Sequence, residues 1–144
     1  MLDKQAEVNL QQFIETRSNM KDTINSMMDF RLEKADLEQR EVILSFPVKK
    51  WQLNPLGMMH GGLICTMMDI SMGCLAYSLS KGYNTPTIEL SVNFVRGIAE
   101  GETVFVKVKA DHAGKRLVQL RGEAILKSND KVAATAVGTF ILSE

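Results

Sequence analysis

Residues 60–81 read HGGLICTMMDISMGCLAYSLSK, and this stretch decides the fold. Its body is apolar on nearly every side, which is typical of a helix that other elements enclose. We expect the helix to begin at Gly61 or Gly62 and to end near Lys81, because a cation followed by glycine is a common C-terminal signal. Asp69 is the only charged residue inside the stretch. Ionised carboxylates are rarely buried without a partner or a chemical task.

The composition indicates one ordinary globular domain. The chain has 144 residues, of which 45% are hydrophobic, so a single domain over residues 1–144 can bury a core without disulfides or a structural metal. Seventeen basic and seventeen acidic side chains cancel, which excludes the basic surface of a nucleic-acid binder. The polar first residues do not resemble a secretory signal, and we expect a cytoplasmic protein without a membrane partner.

The two cysteines, Cys65 and Cys74, both lie on the predicted helix. They are ~13 Å apart along its axis, so they cannot pair within one chain. Together with two histidines at no ligand spacing, they do not form the pattern of a zinc site, and no metal is expected.

The segments around the helix predict a curved antiparallel sheet. Residues 3–19 are periodic in the manner of an amphipathic surface helix. Alternating apolar residues indicate six strands, of which the first two form a hairpin and the last three a meander. Their ranges are 28–34, 41–48, 85–97, 103–112, 115–128 and 131–142. The predicted class is therefore α+β, with an N-terminal helix over residues 1–20 and a core over residues 21–144 in which the sheet wraps around one long buried helix.

The turn before the helix offers a site for an oxyanion. Gly61 and Gly62 expose backbone N–H groups without intrahelical partners, and the helix dipole adds partial positive charge there. A polarised carbonyl oxygen fits such a site, although an ordinary glycine-rich helix entry explains the same residues. We expect His60 to shape the loop, and Asn54 to brace it or to hold a water.

The distance from this turn to Asp69 restricts how the two can cooperate. Asp69 follows Gly61 by eight residues, which is ~12 Å along the axis and ~80° around it. One substrate carbon therefore cannot touch both groups of the same helix. Either the aspartate is an acid held at the helix border by hydrogen bonds, or it serves a turn contributed by a second subunit. A two-fold dimer would form two shared sites of the second kind.

The loop and the acid together resemble a known signature. The pattern N-x-x-G-x-x-H-G-G-x6-D is that of the hotdog-fold acyl-CoA thioesterases of the PaaI type. The chain matches its fixed positions at Asn54, Gly57, His60, Gly61, Gly62 and Asp69. The predicted order of elements resembles the hotdog fold as well. The resemblance implies hydrolysis of an acyl-CoA to a free acid and CoA, by dimers with shared sites that commonly pair into tetramers. It implies no cofactor beyond the CoA of the substrate.

The resemblance also implies roles for individual residues. Asp69 would attack the thioester as a nucleophile or activate a water as a base, and the Gly61 N–H would polarise the carbonyl. His60 and Asn54 would position the loop, and Thr87, with Ser91 as a weaker candidate, would assist with its hydroxyl. Residues expected to contact the substrate are Gly57, Gly62, Met68, Arg96, Gly97, Lys115 and Arg116. Solvated strand-end charges and methionines that fill the core would explain the last set equally.

Two other functions compete with hydrolysis. A non-catalytic acyl-CoA or lipid-binding module could use the same fold. A hydratase or dehydratase could too, although those enzymes usually pair a histidine and an acid in a different local motif. The identity of the acyl group stays open, because pocket depth depends on packing.

Overall fold

A computed structural model describes residues 2–80 and 83–142. Its helices are α1 (Leu2–Ser18), α2 (Ile24–Met28) and α3 (Gly61–Leu79), and its strands are β1 (Arg31–Asp36), β2 (Glu41–Pro47), β3 (Thr87–Phe94), β4 (Thr103–Ala113), β5 (Leu117–Leu126) and β6 (Val132–Ile141). The strands form one antiparallel six-stranded sheet in the order β1-β2-β4-β5-β6-β3. The predicted α+β class, the hairpin and the meander are confirmed. The predicted end signal at residues 81–82 lies outside the described residues.

One side of α3 packs tightly on the inner face of the sheet. Met67, Met68 and Met72 are fully buried there. Glycines on the strands let the helix come close, since a Cβ on Gly122 would stand 3.3 Å from the sulfur of Met68 and one on Gly138 would stand 2.7 Å from that of Met72. The helix is long and apolar enough to cross a membrane by length and composition alone, but this packing is that of a core helix.

The opposite side of α3 is only partly covered by its own chain. Asp69, Ile70, Gly73 and Tyr77 are half-buried, so the enclosure predicted from the apolar sequence is incomplete in one protomer. The N-terminal helix α1 covers the far end of this side, where the ring of Phe13 stacks on that of Tyr77 with centroids 3.8 Å apart and planes 9° apart.

Strand β3 forms one edge of the sheet. Its far edge has no partner strand among the described residues, and an edge of this kind presents unpaired N–H and C=O groups. Large apolar side chains are exposed on or just after it, with Ile88 at 54%, Phe94 at 56% and Val95 at 54% of full exposure. Exposed apolar side chains along an unpaired strand are typical of a surface that binds another chain.

Candidate active site

Asp69 and Thr87 meet although they come from different elements. Asp69 lies in the middle of α3, and Thr87 is the first residue of β3. The Thr87 hydroxyl donates a hydrogen bond of 2.6 Å to Oδ1 of Asp69. No other hydrogen bond to this carboxylate comes from residues 2–80 or 83–142, and no cation there lies within salt-bridge distance. The second carboxylate oxygen therefore stays available to a substrate or a water. Ser91, the weaker candidate, lies further along β3 opposite Val137.

These two residues line a cleft of about 530 Å³ that follows one side of α3. Its floor continues from Asp69 over Ile70, Gly73 and Cys74 to Tyr77. Burial raises the pKa of the Cys74 thiol to about 12, and the positive charge of Arg17 offsets only part of that rise. The thiol is therefore protonated at neutral pH, which makes it an apolar wall and not a rival nucleophile to Asp69.

Asn54 organises the loop before α3. Its side-chain oxygen accepts hydrogen bonds from the N–H groups of Leu56, at 2.9 Å, and Met58, at 3.1 Å. Gly57 closes the same turn with a φ of +82°, a conformation that side chains disfavour. The bracing role expected of Asn54 is therefore present in the geometry, and only its amide NH₂ remains to hold a water or a substrate group.

His60 caps the start of α3. Its Nδ1 accepts a hydrogen bond of 3.0 Å from the N–H of Gly62, so in this arrangement the ring carries its proton on Nε2. The Gly62 N–H is thereby used within the loop, whereas no described group accepts a hydrogen bond from the Gly61 N–H. Gly61 is thus the glycine whose donor is open to a ligand.

A second, smaller cleft of about 340 Å³ surrounds Gly61. Phe94 forms one wall, and its ring would stand 3.3 Å from a Cβ on Gly61. Met58 and Gly97 form another, with 3.2 Å between the methionine methyl carbon and a Cβ at the glycine. Arg96 lies at the same cleft and is held by a 2.8 Å hydrogen bond from its Nε to the Val132 carbonyl.

The two clefts lie at opposite ends of β3. Thr87 begins the strand beside Asp69, and Phe94 ends it beside Gly61. Seven residue steps along a strand amount to ~23 Å. One protomer therefore keeps the carboxylate and the open N–H apart, as the spacing on the helix predicts.

The remaining expected substrate contacts fall in different places. Arg116 lines a neighbouring cleft of about 670 Å³, near Pro86 and Ile88 at the Thr87 end of β3. Lys115 precedes it in the β4–β5 turn. Met68 is fully buried and packs towards Gly122 on the sheet, so it lines neither cleft and fills the core. No cluster of three or more metal-ligating side chains occurs in the described part of the chain.

Sequence patterns alone missed several residues around Asp69. Phe13, Arg17 and Tyr77 line its cleft, but nothing local in the sequence connects α1 to the middle of α3. Gly73 did carry a signal, because an isolated glycine inside a helical pattern usually has a packing or functional reason.

The sequence resembles that of known thioesterases. The pattern of the family described as Thioesterase superfamily matches residues 56–133. A protein of Pseudomonas aeruginosa named as a putative esterase is 28% identical over 105 residues, which cover 72% of this chain and 77% of that protein.

The fold also resembles that of several solved structures. Zebrafish thioesterase superfamily member 2 has a TM-score of 0.82 at 16% identity, covering 93% of this chain and 96% of that one. The Escherichia coli PaaI protein, from the phenylacetic acid degradation operon, has 0.77 at 17%, covering 92% and 94%. A Streptococcus mutans protein bound to acetyl-CoA has 0.70 at 23%, covering 78% and 86%. The hotdog fold is therefore confirmed.

Proposed function

This chain belongs to the thioesterase superfamily, and from that membership we propose that it hydrolyses an acyl-CoA thioester to a free acid and coenzyme A. The observation that carries the proposal is the Asp69–Thr87 pair, a half-buried carboxylate oriented by one hydroxyl at the side of a cleft. The Streptococcus mutans protein of the same fold was solved with acetyl-CoA, which supports a CoA thioester as the substrate class.

The active site proposed here is completed by a second copy of the chain. Two protomers that join antiparallel along their β3 edges, about a two-fold axis, bring the Phe94 end of one strand to the Thr87 end of the other. Each Asp69 then approaches the partner's Gly61. The same pairing would cover the exposed Ile88 and Phe94 side chains, and it would use the unpaired strand edge.

Hydrolysis in such a site needs two contributions. The partner's Gly61 N–H, at a helix N-terminus, would hold the thioester oxygen as negative charge develops on it. Asp69 would either add to the carbonyl carbon itself or take a proton from a water that adds there. In both routes the carbon–sulfur bond breaks, the acyl carbon ends with the oxygen of water, and the thiolate is protonated. The Thr87 hydroxyl would keep the attacking carboxylate aligned.

Cations at both ends of β3 would serve the phosphates of CoA. Arg96 lies at the Phe94 end and Arg116 at the Thr87 end, so the antiparallel pairing would bring one of each to every shared site. Lys115 lies next to the second arginine in the chain. The guanidinium groups suit phosphate oxygens because they present several donors in a fixed plane.

The test is thiol release from a panel of acyl-CoA substrates, including aromatic, short-chain and medium-chain acyl groups. We expect turnover by the wild-type protein and a loss of ~10²–10⁴-fold in kcat for Asp69→Ala, because the attacking group is gone. Asp111→Ala is the matched control, since it removes an exposed carboxylate that pairs with Arg121 at 3.3 Å on β4. Equal turnover by the Asp69→Ala and wild-type proteins would contradict the assignment. Ligand-dependent melting shifts without any thiol release would favour the non-catalytic binding module.

A further inference from the structure

Gly73 has no evident role in the packing of its own chain. It lies one helical turn after Asp69, and a Cβ built on it would meet only the Phe140 ring, at 3.6 Å, which is ordinary contact. Glycine is less favourable than alanine inside a helix. A residue that weakens the helix without a packing reason calls for an explanation outside the folding of the protomer.

The surroundings of Gly73 form a groove that begins at the carboxylate. Asp69, Gly73 and Tyr77 are four residues apart, so they share one side of α3 over ~12 Å. Between them the floor is apolar, with Ile70 on one flank and the neutral Cys74 on the other. The missing side chain at Gly73 keeps the middle of this groove open.

Aromatic rings limit the far end of the groove. The Phe13 ring, from α1, lies on the Tyr77 ring with centroids 3.8 Å apart. The Arg17 guanidinium lies 5.0 Å above the centroid of the Phe13 ring, on the same cleft. Cation and rings together form a stack that a growing acyl chain would have to displace.

We propose that this groove holds the acyl group of the substrate, and that Gly73 and the Phe13–Tyr77 stack set the length of chain that the enzyme accepts. The proposal rests on the proposed function, because Asp69 must face the thioester carbonyl. The acyl group occupies the groove in preference to the pantetheine arm, since the arm carries amides that need hydrogen-bond partners and the floor between Asp69 and Tyr77 supplies none. An extended chain advances about 1.2 Å per bond, so the groove takes acyl groups of up to about ten carbons.

The first test is a chain-length profile of kcat/KM with acetyl-, butyryl-, hexanoyl-, octanoyl-, decanoyl- and lauroyl-CoA, for wild type and Gly73→Ala. We expect the variant to lose about tenfold for octanoyl- and decanoyl-CoA, and less than about twofold for acetyl-CoA, which ends before residue 73. The melting temperature of the variant should rise by about 1–4 °C, because alanine favours the helix. Lower activity in a more stable protein would separate an obstructed groove from a damaged fold.

The second test opens the far end. Phe13→Ala removes one ring of the stack, and we expect lauroyl-CoA hydrolysis to rise by about tenfold relative to octanoyl-CoA. Val8→Ala is the matched control, because its side chain is exposed on the same helix and lies outside the groove. Its chain-length profile should equal that of the wild type.

Each outcome decides a different claim. Thiol release from no substrate by the wild type would overturn the proposed function and the acyl groove with it. Hydrolysis with the same chain-length profile in wild type, Gly73→Ala and Phe13→Ala would overturn the groove alone. A loss of equal size for every substrate in Gly73→Ala, acetyl-CoA included, would place the pantetheine arm in the groove and would also overturn the proposal.

Discussion

On the side of α3 that faces the sheet, a Cβ added to Gly138 would stand 2.7 Å from the sulfur of Met72; on the side that faces the cleft, a Cβ added to Gly73 would meet nothing closer than 3.6 Å. The first side is filled, so its glycines exist to let helix and sheet approach. The second side is open beside a carboxylate. The contrast indicates that one helix divides two tasks between its sides, stability towards the sheet and chemistry towards the cleft.

The largest effect is expected where the cleft chemistry needs a backbone donor. Gly61→Pro removes the N–H that we assign to the oxyanion, and proline is tolerated at the first position of a helix. The preceding His60, with a ψ of 135°, already has the backbone conformation that a following proline requires. We expect kcat to fall by ~10²–10³-fold while the circular dichroism spectrum is kept. Full activity in Gly61→Pro would remove that N–H from the mechanism.

A smaller effect, on stability and not on catalysis, is expected on the sheet side. Gly138→Ala forces its Cβ against the Met72 sulfur and to within 3.3 Å of the Glu89 carbonyl. Overpacking of this kind costs about 1–3 kcal/mol in the free energy of unfolding, which chemical denaturation measures. Gly73→Ala on the opposite side is the matched comparison and should not lose stability. If both alanines changed stability alike, the contrast between the two sides would be wrong.

The smallest effect is expected at the hydroxyl that orients the acid. Thr87→Val keeps the shape of the side chain but removes the donor of the 2.6 Å hydrogen bond to Asp69. Loss of a hydrogen bond to a charged group leads us to expect about a tenfold fall in kcat. Thr87→Ser retains the hydroxyl and should restore most of the rate. A serine variant as slow as the valine variant would mean that the methyl group, and not the hydroxyl, matters.

Much of this architecture could be predicted from the sequence because the patterns are local. Period-two alternation predicts the strands, and the uninterrupted apolar run with its glycines predicts α3 to within a residue at its start. The Asp69–Gly61 spacing likewise predicts that one chain cannot bring both groups together.

The residues that the sequence could not supply depend on long-range packing. No spacing rule places Phe13 of α1 on Tyr77, which is 64 positions away (77 − 13). Met68 illustrates the reverse error, since a methionine one residue from the acid was expected to touch substrate but points to the sheet. One residue on a helix is a rotation of ~100°, enough to exchange the cleft for the core.

The shared site is tested most directly by mixing two inactive variants, Asp69→Ala and Gly61→Pro, after unfolding and refolding them together. In a hybrid dimer with shared sites, one site carries both changes and the other carries neither. Random pairing in equal amounts should therefore restore about a quarter of the wild-type activity, because about half of the dimers are hybrid and each has one intact site. A mixture that stays as inactive as either variant alone, although mass spectrometry shows that hybrids have formed, would contradict a site built from two chains.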